Sequence, residues 1–325
     1  MLKSIFVRNW FFVGIAVMVL TAFYFPGVGI FIKTYKVLNI VIFLGFLLTG
    51  LTLDTSSILE QLKDARVLLA ALVSSLILFP AIAYFLARLF FKAPPDFAMG
   101  ALIVGVAPAT IASGTVMTAI ALGNVPLSLF ICVLTNFAAL LTIPFILTNL
   151  LHFTGTSVDL PVAGMLFSLV LKVLVPTLIG QVLRPRIAAM IFPYQKQISI
   201  FNQSIILMII LNAVSSSADR LLESDITIVW LFVFMFGLHT LILAMNFGLS
   251  RIIRLDLPST AAFTIHTSQK TLTISYLVWV EHFYHSYPMA LIPPIVYHLT
   301  QSIVDTWVAH RFRSKAEKAA ALSKG

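Results

Sequence analysis

The sequence predicts an all-α polytopic membrane protein with ten transmembrane helices, arranged as two inverted repeats of five. The first observation is composition, because 60% of the 325 residues are hydrophobic and only 10% are charged. The second is that charges and turn residues divide the chain into ten apolar segments of roughly 20 residues, the length that a membrane span needs. The third is a pair of similar polar interruptions, one in each half of the chain.

Charge and cysteine content exclude several classes of protein. Soluble domains are about 25% charged, so a soluble fold with a mean hydropathy of +1.02 would have too little polar surface. The net charge of +9 does not indicate nucleic-acid binding, because the basic residues are scattered through short loops and the C-terminus. Cys132 is the only cysteine, which excludes an intrachain disulfide and a cysteine-based metal site.

The ten predicted spans are bounded by polar and turn residues. They cover residues 9–31, 36–53, 66–91, 97–121, 124–151, 160–184, 197–217, 225–252, 257–281 and 287–310. The first follows a basic N-terminus but lacks a small-residue cleavage site, so we interpret it as a retained helix and not as a signal peptide. The connection 54–65 is predicted to form a short amphipathic helix at the membrane interface.

The distribution of basic residues predicts the orientation. With the N-terminus inside, 14 lysines and arginines fall in cytoplasmic segments and five on the opposite side, while Lys172 and Lys270 lie within spans. Because cytoplasmic loops carry the excess of positive charge, both termini are predicted to be cytoplasmic. We expect a bacterial inner membrane, with the lipid bilayer as the immediate partner.

The two halves of the chain form a weak internal repeat, with repeat one at 1–155 and repeat two at 156–325. Residues 50–57 after span 2 correspond to residues 212–219 after span 7, and span 4 corresponds to span 9. An odd number of spans in each repeat inverts the second copy relative to the first, so a pseudo-two-fold axis lies in the membrane plane. The whole chain is therefore predicted to form one transmembrane unit.

Spans 4 and 9 each contain a run rich in hydroxyl groups, at 110–118 and 264–273. Pro108 removes an amide donor before the first run, and we expect residues 113–115 and 266–271 to lie at the two breaks. Irregular backbone at membrane depth persists only where protein or a water-filled cavity pairs with it, and matched broken helices indicate a substrate site in transporters. The alternative is that these small polar residues only allow close helix packing.

The candidate site residues are polar side chains at the breaks and on spans 5 and 10. The substrate- or ion-binding candidates are Thr110, Ser113, Thr115, Ser128, Thr135, Asn136, His266, Ser268, Gln269, Lys270, Thr271 and His298. Lys270 is the strongest, because a cation near the bilayer centre is costly; the alternative is that its ammonium reaches the interface. His266, one helical turn earlier, either carries a proton or is structural. Ser128, Cys132 and Thr135 are spaced to share one helix face.

Neither an enzyme nor a metal centre is expected. Residues 281–285 contain a glutamate and two histidines but lack the spacing of a helical zinc site, and they fall in a short predicted outer loop. No nucleophile with a neighbouring base and no pair of aspartates is visible at membrane depth, which disfavours an intramembrane protease or lipid transferase.

Residues 107–118, followed by residues 123–128, resemble helices 4 and 5 of the bile acid:sodium symporter family. Residues 267–272 resemble the divergent SBF-like branch of that family. The resemblance extends over nearly the whole chain in helix order, and these two motifs are its specific part.

The resemblance implies a secondary transporter of an organic anion that binds between two groups of helices. A core would comprise spans 66–151 and 225–310, with discontinuous helices 4 and 9 crossing at their breaks, and a panel would comprise spans 9–53 and 160–217. Transport would proceed by alternating access as one group rocks against the other. A cation/proton antiporter of the same architecture is the alternative, but such antiporters use an intramembrane aspartate, and neither break contains an acid.

The resemblance also implies sodium ions as possible co-substrates. The matching positions are Ser75, Ser113, Thr115, Ser128 and Gln269. The match is partial, because His266 stands where the family has a glutamate on helix 9, and Cys132 is a poor ligand for a hard cation. We therefore hypothesise that the ammonium of Lys270 replaces a bound sodium ion, with transport coupled to protons or uncoupled.

Overall fold

The computed structural model of the protein describes residues 10–53, 65–92, 95–155, 160–223 and 226–322, and the described secondary structure is helical throughout. The helices are α1 (Trp10–Tyr24), α2 (Pro26–Thr34), α3 (Val37–Thr52), α4 (Ala65–Phe90), α5 (Pro95–Val106), α6 (Ile111–Ile120), α7 (Val125–Phe153), α8 (162–191), α9 (Gln195–Leu222), α10 (Thr227–Ile252), α11 (Leu257–Ser268), α12 (272–283) and α13 (Ile292–Leu322). Wider π-helical turns lie in α4 (Ser74–Leu78), α8 (Val170–Leu174) and α12 (Trp279–Phe283). The predicted interfacial helix at 54–65 lies outside the described residues, except for Ala65.

The helices follow the predicted spans to within a few residues at most boundaries, although α13 continues well beyond residue 310. By length and hydropathy, four stretches of the described residues qualify as membrane spans: α4, α7, the run Val162–Leu222 and α10. A fifth qualifies if α1 and α2 are taken together. The protein is therefore built from helices long and apolar enough to cross a bilayer, while the count of ten spans stays a prediction.

The span predicted at 9–31 is bent, because α1 and α2 meet at 95°. Pro26 lacks an amide hydrogen and its ring disfavours helical geometry at the preceding residue. Phe25 accordingly adopts φ −134° and ψ 60°, and α2 begins at Pro26, a favourable first helical position. Both helices pack against α9, so the chain changes direction on that surface.

Spans 4 and 9 are both broken, as predicted, but each break is shorter than its polar run. The first break is at 107–110, between α5 and α6, and the second is at 269–271, between α11 and α12. Residues 113–115 and 266–268 are helical, contrary to the prediction. Hydroxyl groups in these runs bond to their own helix, as when Ser268 Oγ donates to the carbonyl four residues earlier (2.7 Å), and such bonds do not interrupt a helix.

Contacts divide the helices into two groups. In one group α9 packs against α1, α2 and α3, and α3 packs against residues 175–191 of α8. Gly50 of α3 makes that approach close, because a Cβ at Gly50 would lie 2.2 Å from the carbonyl oxygen of Thr177. In the other group α13 packs against α5, α6, α10 and α11, and α7 packs against α6 and α11. The groups touch where α7 meets α8 and where α9 meets α12 and α13.

Candidate functional site

The two breaks contact each other. The Thr271 amide donates to the carbonyl oxygen of Pro108 (2.9 Å), and the Lys270 ammonium donates to that of Ala107 (2.8 Å). The carbonyl groups that lack helical partners at the first break therefore accept hydrogen bonds from residues of the second. Backbone groups at membrane depth need such partners, because no water is present to replace them.

The ammonium of Lys270 is surrounded by neutral oxygen atoms. Nζ lies 2.5 Å from the carbonyl oxygen of Ser75, 3.1 Å from the Ser75 hydroxyl and 2.8 Å from the carbonyl oxygen of Ala107. It also lies 4.4 Å from the centre of the Phe79 ring. The residue is 1% exposed, and within the described residues none of the ion pairs involves it. The Lys270 ammonium thus resembles a bound monovalent cation that is surrounded by oxygen ligands and the face of an aromatic ring.

The local sequence of α4 explains why the Ser75 carbonyl is free to accept. In the π-helical turn the Phe79 amide donates to the Ser74 carbonyl, and therefore does not donate to the Ser75 carbonyl as it would in a regular α-helix. The following residue is Pro80, which has no amide hydrogen. A proline directly after a π-helical turn leaves one carbonyl without a helical partner, and Lys270 bonds to it.

The backbone of Lys270 is fixed by a side chain of α13. The Lys270 amide donates to Gln301 Oε1 (2.9 Å), and Gln301 Nε2 donates to the Lys270 carbonyl (3.0 Å). One side-chain amide therefore satisfies both polar groups of a non-helical residue. Gln301 holds the second break in place without contacting the ammonium.

His266 contacts a different helix from Lys270. Its Nδ1 bonds to the hydroxyl of Ser128 on α7, and that oxygen also accepts from Thr118 (3.0 Å). A Cβ at Gly114 would lie 2.7 Å from the His266 ring, so the imidazole lies directly against the α6 backbone. Because α11 ends at Ser268, His266 and Lys270 do not share a helical face.

A buried carboxylate reaches the second break from another helix, although neither break itself contains an acid. Asp305 of α13 is 0% exposed, and its Oδ2 accepts from Gln269 Nε2 (2.6 Å). Its Oδ1 lies 2.9 Å from His239 Nε2 of α10, and His239 Nδ1 lies 2.7 Å from the Tyr297 hydroxyl, which donates to the Ser268 carbonyl (2.7 Å). The signal in the sequence is a lone histidine and a lone aspartate in separate apolar spans, because each is costly unless the two pair.

A cavity of about 770 Å³ lies beside both breaks, between the two groups of helices. The wall formed by α1, α3 and α9 carries the large apolar side chains, including Trp10, Phe11, Phe12, Phe46 and Ile206, together with polar ones at Thr49, Thr52, Gln195, Ser199, Asn202 and Gln203. The other wall of the cavity comes from the breaks and from α6, α7 and α13. Within the described residues the lining contains no lysine, arginine, aspartate or glutamate. The size and the mostly apolar lining are typical of a small-molecule site.

The twelve candidate residues fall into two sets. Those that line the cavity are Thr110, Ser113, Thr115, Asn136, Thr271 and His298. Those that are buried and do not line it are Ser128, Thr135, His266, Ser268, Gln269 and Lys270. Ser128, Cys132 and Thr135 are all fully buried, which confirms that they share one inward face of α7.

The positions matched to sodium ligands have separate hydrogen-bond partners. Ser75 is bonded to Lys270, and Ser128 to Thr118 and His266. Gln269 is bonded on one side to Ser113 (2.9 Å) and on the other to the Asp305 carboxylate. Ser75, Ser113, Ser128 and Gln269 are therefore each hydrogen-bonded to other side chains of the protein.

Comparisons with known proteins agree with the resemblance in the sequence. Residues 9–314 match the model of the SBF-like CPA transporter family. The chain is 23% identical to the uncharacterized sodium-dependent transporter YocS of Bacillus subtilis (strain 168), over 99% of this chain and 96% of the relative. It is 25% identical to sodium/bile acid cotransporter 7 of Mus musculus, over 94% of this chain and 93% of the relative. It is 29% identical to the chloroplastic probable sodium/metabolite cotransporter BASS4 of Arabidopsis thaliana, over 80% of this chain and 62% of the relative.

The family and the helices lead to one conclusion about the class of protein. The relatives are transporters, and the described chain contains several apolar helices long enough to span a bilayer. The protein is therefore an integral membrane transporter and not an enzyme. Because the match covers nearly all of its length, the chain belongs to the SBF-like CPA transporter family.

Proposed function

We propose that the protein is a secondary transporter that carries a small amphipathic organic anion by alternating access. The observation that carries this proposal is the cavity, which adjoins both breaks and separates two groups of helices. We assign spans 9–53 and 160–217 to a panel and spans 66–151 and 225–310 to a core, following the contacts among the helices. Rocking of the panel against the core would expose the cavity to each side in turn.

The two walls favour a substrate with an apolar body and one anionic group. The body would contact aromatic side chains of α1 and α3, such as Phe11 and Phe46. The anionic group would lie near the start of α6, where Thr110 and Ser113 line the cavity and the positive end of the helix dipole favours negative charge. Without a charged side chain among the described lining residues, a dianion would lose its hydration without an adequate partner.

Lys270 would serve as a built-in cation, and not as a substrate ligand. Its ammonium is buried away from the cavity lining and bonds to carbonyl and hydroxyl oxygens, the donor type that hard cations prefer. A side-chain cation stays with the protein throughout the cycle, so this position would release no sodium. The sodium dependence in the names of the relatives therefore does not extend to this position.

The geometry supports an inward-open conformation. The cavity lining includes Thr52 at the end of α3 and Gln195 at the start of α9, both toward the side predicted to be cytoplasmic. On the opposite side, panel and core are joined where Lys172 of α8 pairs with Glu281 of α12 and Ser168 donates to the same carboxylate (2.5 Å). This contact would close the outer side and separate during transport.

A cation/proton antiporter is the second candidate, and one observation favours it. Asp305 is a buried carboxylate bonded to the second break through Gln269, where an antiporter would need an acid. The cavity disfavours it, because its described lining has no carboxylate to attract a cation.

Uptake into liposomes that contain the purified protein tests the proposal. We expect uptake of labelled taurocholate, a bile-acid anion, and no exchange of radioactive sodium for protons. Phe46→Trp would fill part of the cavity and lower taurocholate uptake roughly tenfold, since overpacking costs about 1–3 kcal/mol. Phe145→Trp is the matched control, because Phe145 is 57% exposed on α7 and does not line the cavity. Sodium–proton exchange without taurocholate uptake would support the antiporter instead.

A further inference from the structure

His239 and Asp305 form a buried acid–base pair that the proposed substrate site does not use. Both side chains are 0% exposed, and their nearest atoms, Nε2 and Oδ1, are 2.9 Å apart. The pair joins α10 to α13, and Asp305 Oδ2 is bonded to Gln269 at the second break. A charge at this position would therefore act directly on the broken segment.

The hydrogen bonds around the pair fix how many protons it holds. The Tyr297 hydroxyl has one hydrogen, which it donates to the Ser268 carbonyl (2.7 Å), because a carbonyl can only accept. His239 Nδ1, 2.7 Å from the same hydroxyl, must then donate its own hydrogen to the tyrosine oxygen. The contact between His239 Nε2 and Asp305 consequently needs a second proton, whether it belongs to an imidazolium or to a carboxylic acid.

We propose that His239 and Asp305 form a proton-binding site whose proton is coupled to substrate binding; this inference rests on the proposed transport of an anion. With the proton bound, the pair is neutral. The proton leaves from Nδ1, and the one hydrogen that remains on the imidazole is the one on Nε2, which donates to the carboxylate. The Tyr297 hydroxyl then turns from the Ser268 carbonyl to the vacant Nδ1, and a carbonyl at the end of α11 loses its donor. Loss of the proton thus changes the hydrogen bonding of the broken span itself.

Other ionisable groups lie on the helices that surround the pair. From residues 79–90 of α4, α5, α9, α10, α11, the second break, α12 and α13 itself, these groups are Tyr84, Arg88, Asp96, Lys196, Asp219, Arg220, Arg251, His266, Lys270, Tyr276, Glu281, His282, His298, His310, Arg311, Arg313, Lys315, Glu317 and Lys318. Among those with described bonds, Lys270 bonds to Ser75, His266 bonds to Ser128, and Asp96 accepts from the Met289 amide.

A chain of two hydrogen bonds connects the pair to the cavity. Asp305 Oδ2 accepts from Gln269 Nε2 (2.6 Å), and Gln269 Oε1 accepts from the hydroxyl of Ser113, which lines the cavity (2.9 Å). An anion bound near Ser113 would be repelled by the negative pair and tolerated by the neutral one. Substrate binding therefore favours proton uptake, and proton binding must favour the substrate by the same factor. The expected result is symport of the anion with a proton.

Uptake into liposomes loaded with a pH-sensitive dye tests this coupling. In sodium-free choline buffer, we expect an inside-alkaline gradient to raise the initial rate of taurocholate uptake about tenfold, within the usual range of coupling. The dye should report acidification of the interior when taurocholate enters. Asp305→Asn mimics the protonated pair, because its amide can donate to His239 and still accept from Gln269. This variant should exchange labelled for unlabelled taurocholate, because its loaded core is neutral, without a response to the gradient.

Asp256→Asn is the matched control, because Asp256 is an exposed N-cap of α11 and its variant should keep the gradient response. If Asp305→Asn responds to the gradient like the wild type, or if wild-type uptake does not depend on pH, the proposal is overturned. His239→Gln provides a second variant for the same measurement in case Asp305→Asn does not fold.

Infrared difference spectra separate a failure of this inference from a failure of the proposed function, because they need no substrate. In the difference between spectra recorded at acid and at alkaline pH, the wild type should show a carboxyl or imidazole band that Asp305→Asn lacks and Asp256→Asn retains. Such a band without taurocholate uptake would contradict transport of this anion and still support the proton site. Identical spectra for the wild type and Asp305→Asn would overturn the proton site whatever the uptake.

Discussion

Replacement of Lys270 by alanine would leave vacant oxygen atoms where the ammonium now lies. The carbonyl oxygens of Ser75 and Ala107 would lose a donor at 2.5 and 2.8 Å, and the Ser75 hydroxyl would lose one at 3.1 Å. Each carbonyl left unpaired costs about 1–3 kcal/mol, and the lost contact with the Phe79 ring costs about 2 kcal/mol at a desolvated site. Removal of the buried charge offsets several kcal/mol of this, since an ammonium is costly to dehydrate.

These opposing terms leave the variant modestly destabilised, by a few kcal/mol at most, but with three oxygens free to bind a cation. Lys270→Ala should therefore acquire a stabilisation by sodium. At a sodium concentration ten times its dissociation constant, stabilisation amounts to about 1.4 kcal/mol. For a chain of this size that corresponds to an increase of a few degrees in the unfolding midpoint.

The assay is thermal unfolding of detergent-purified protein in sodium, potassium and choline chlorides at equal ionic strength. Lys196→Ala is the matched control, because it removes an exposed lysine at the start of α9. A Lys270→Ala protein that unfolds at the wild-type temperature in every salt and keeps full uptake would refute the role of the ammonium. Sodium-specific stabilisation of the wild type would point to another cation site, with Ser113, Thr115 and Ser128 as ligand candidates.

Two further predictions concern contacts around the cavity. Gly114→Ala should destabilise the protein by about 1–3 kcal/mol in chemical unfolding, because the new Cβ would lie 2.7 Å from the His266 ring; Gly237→Ala, which meets nothing within 4 Å in α10, should not. Glu281→Gln should release the contact between Lys172 and Glu281. It should raise labelling of a cysteine introduced into the cavity at Val116, by a reagent added from the outer side, up to about fivefold, since a partly exposed ion pair contributes under about 1 kcal/mol. The exchange of Lys172 and Glu281 should restore wild-type labelling, and unchanged labelling in Glu281→Gln would exclude a closing role.

The positions of most helices could be predicted because apolar length and turn residues are local properties. Span 36–53, for example, differs by one residue at each end from α3, Val37–Thr52. The bend at Phe25 was not predicted, although Pro26 signals it, because hydropathy is high on both sides of the bend and carries no information about direction. The first break was located through Pro108, whereas the exact limits depend on which hydroxyl groups bond to their own helix.

The contacts of the site residues could not be predicted, because they join distant parts of the chain. Lys270 was identified as unusual from its depth alone, but its acceptor at Ser75 is 195 residues away in sequence. Asp305 and His239 are each unusual in an apolar span, but they are 66 residues apart, and the sequence does not show that they pair. Burial penalties predict that such residues have partners, and only the fold determines which partners they have.

The charges of Lys270 and of the His239–Asp305 pair determine whether the anion can cross the membrane without the proton. Lys270 contributes a constant positive charge, whereas the His239–Asp305 pair is neutral with its proton and negative without it. The empty, deprotonated core and the core loaded with one anion and one proton therefore both have no net charge at this position. A core that holds only the anion or only the proton carries a net charge, which is costly to keep at membrane depth. With the proposed proton site and a charged Lys270, we therefore expect tight coupling, and uptake should respond to a pH gradient but not to a membrane potential imposed with valinomycin. Uptake driven by the potential at constant pH would contradict this charge balance.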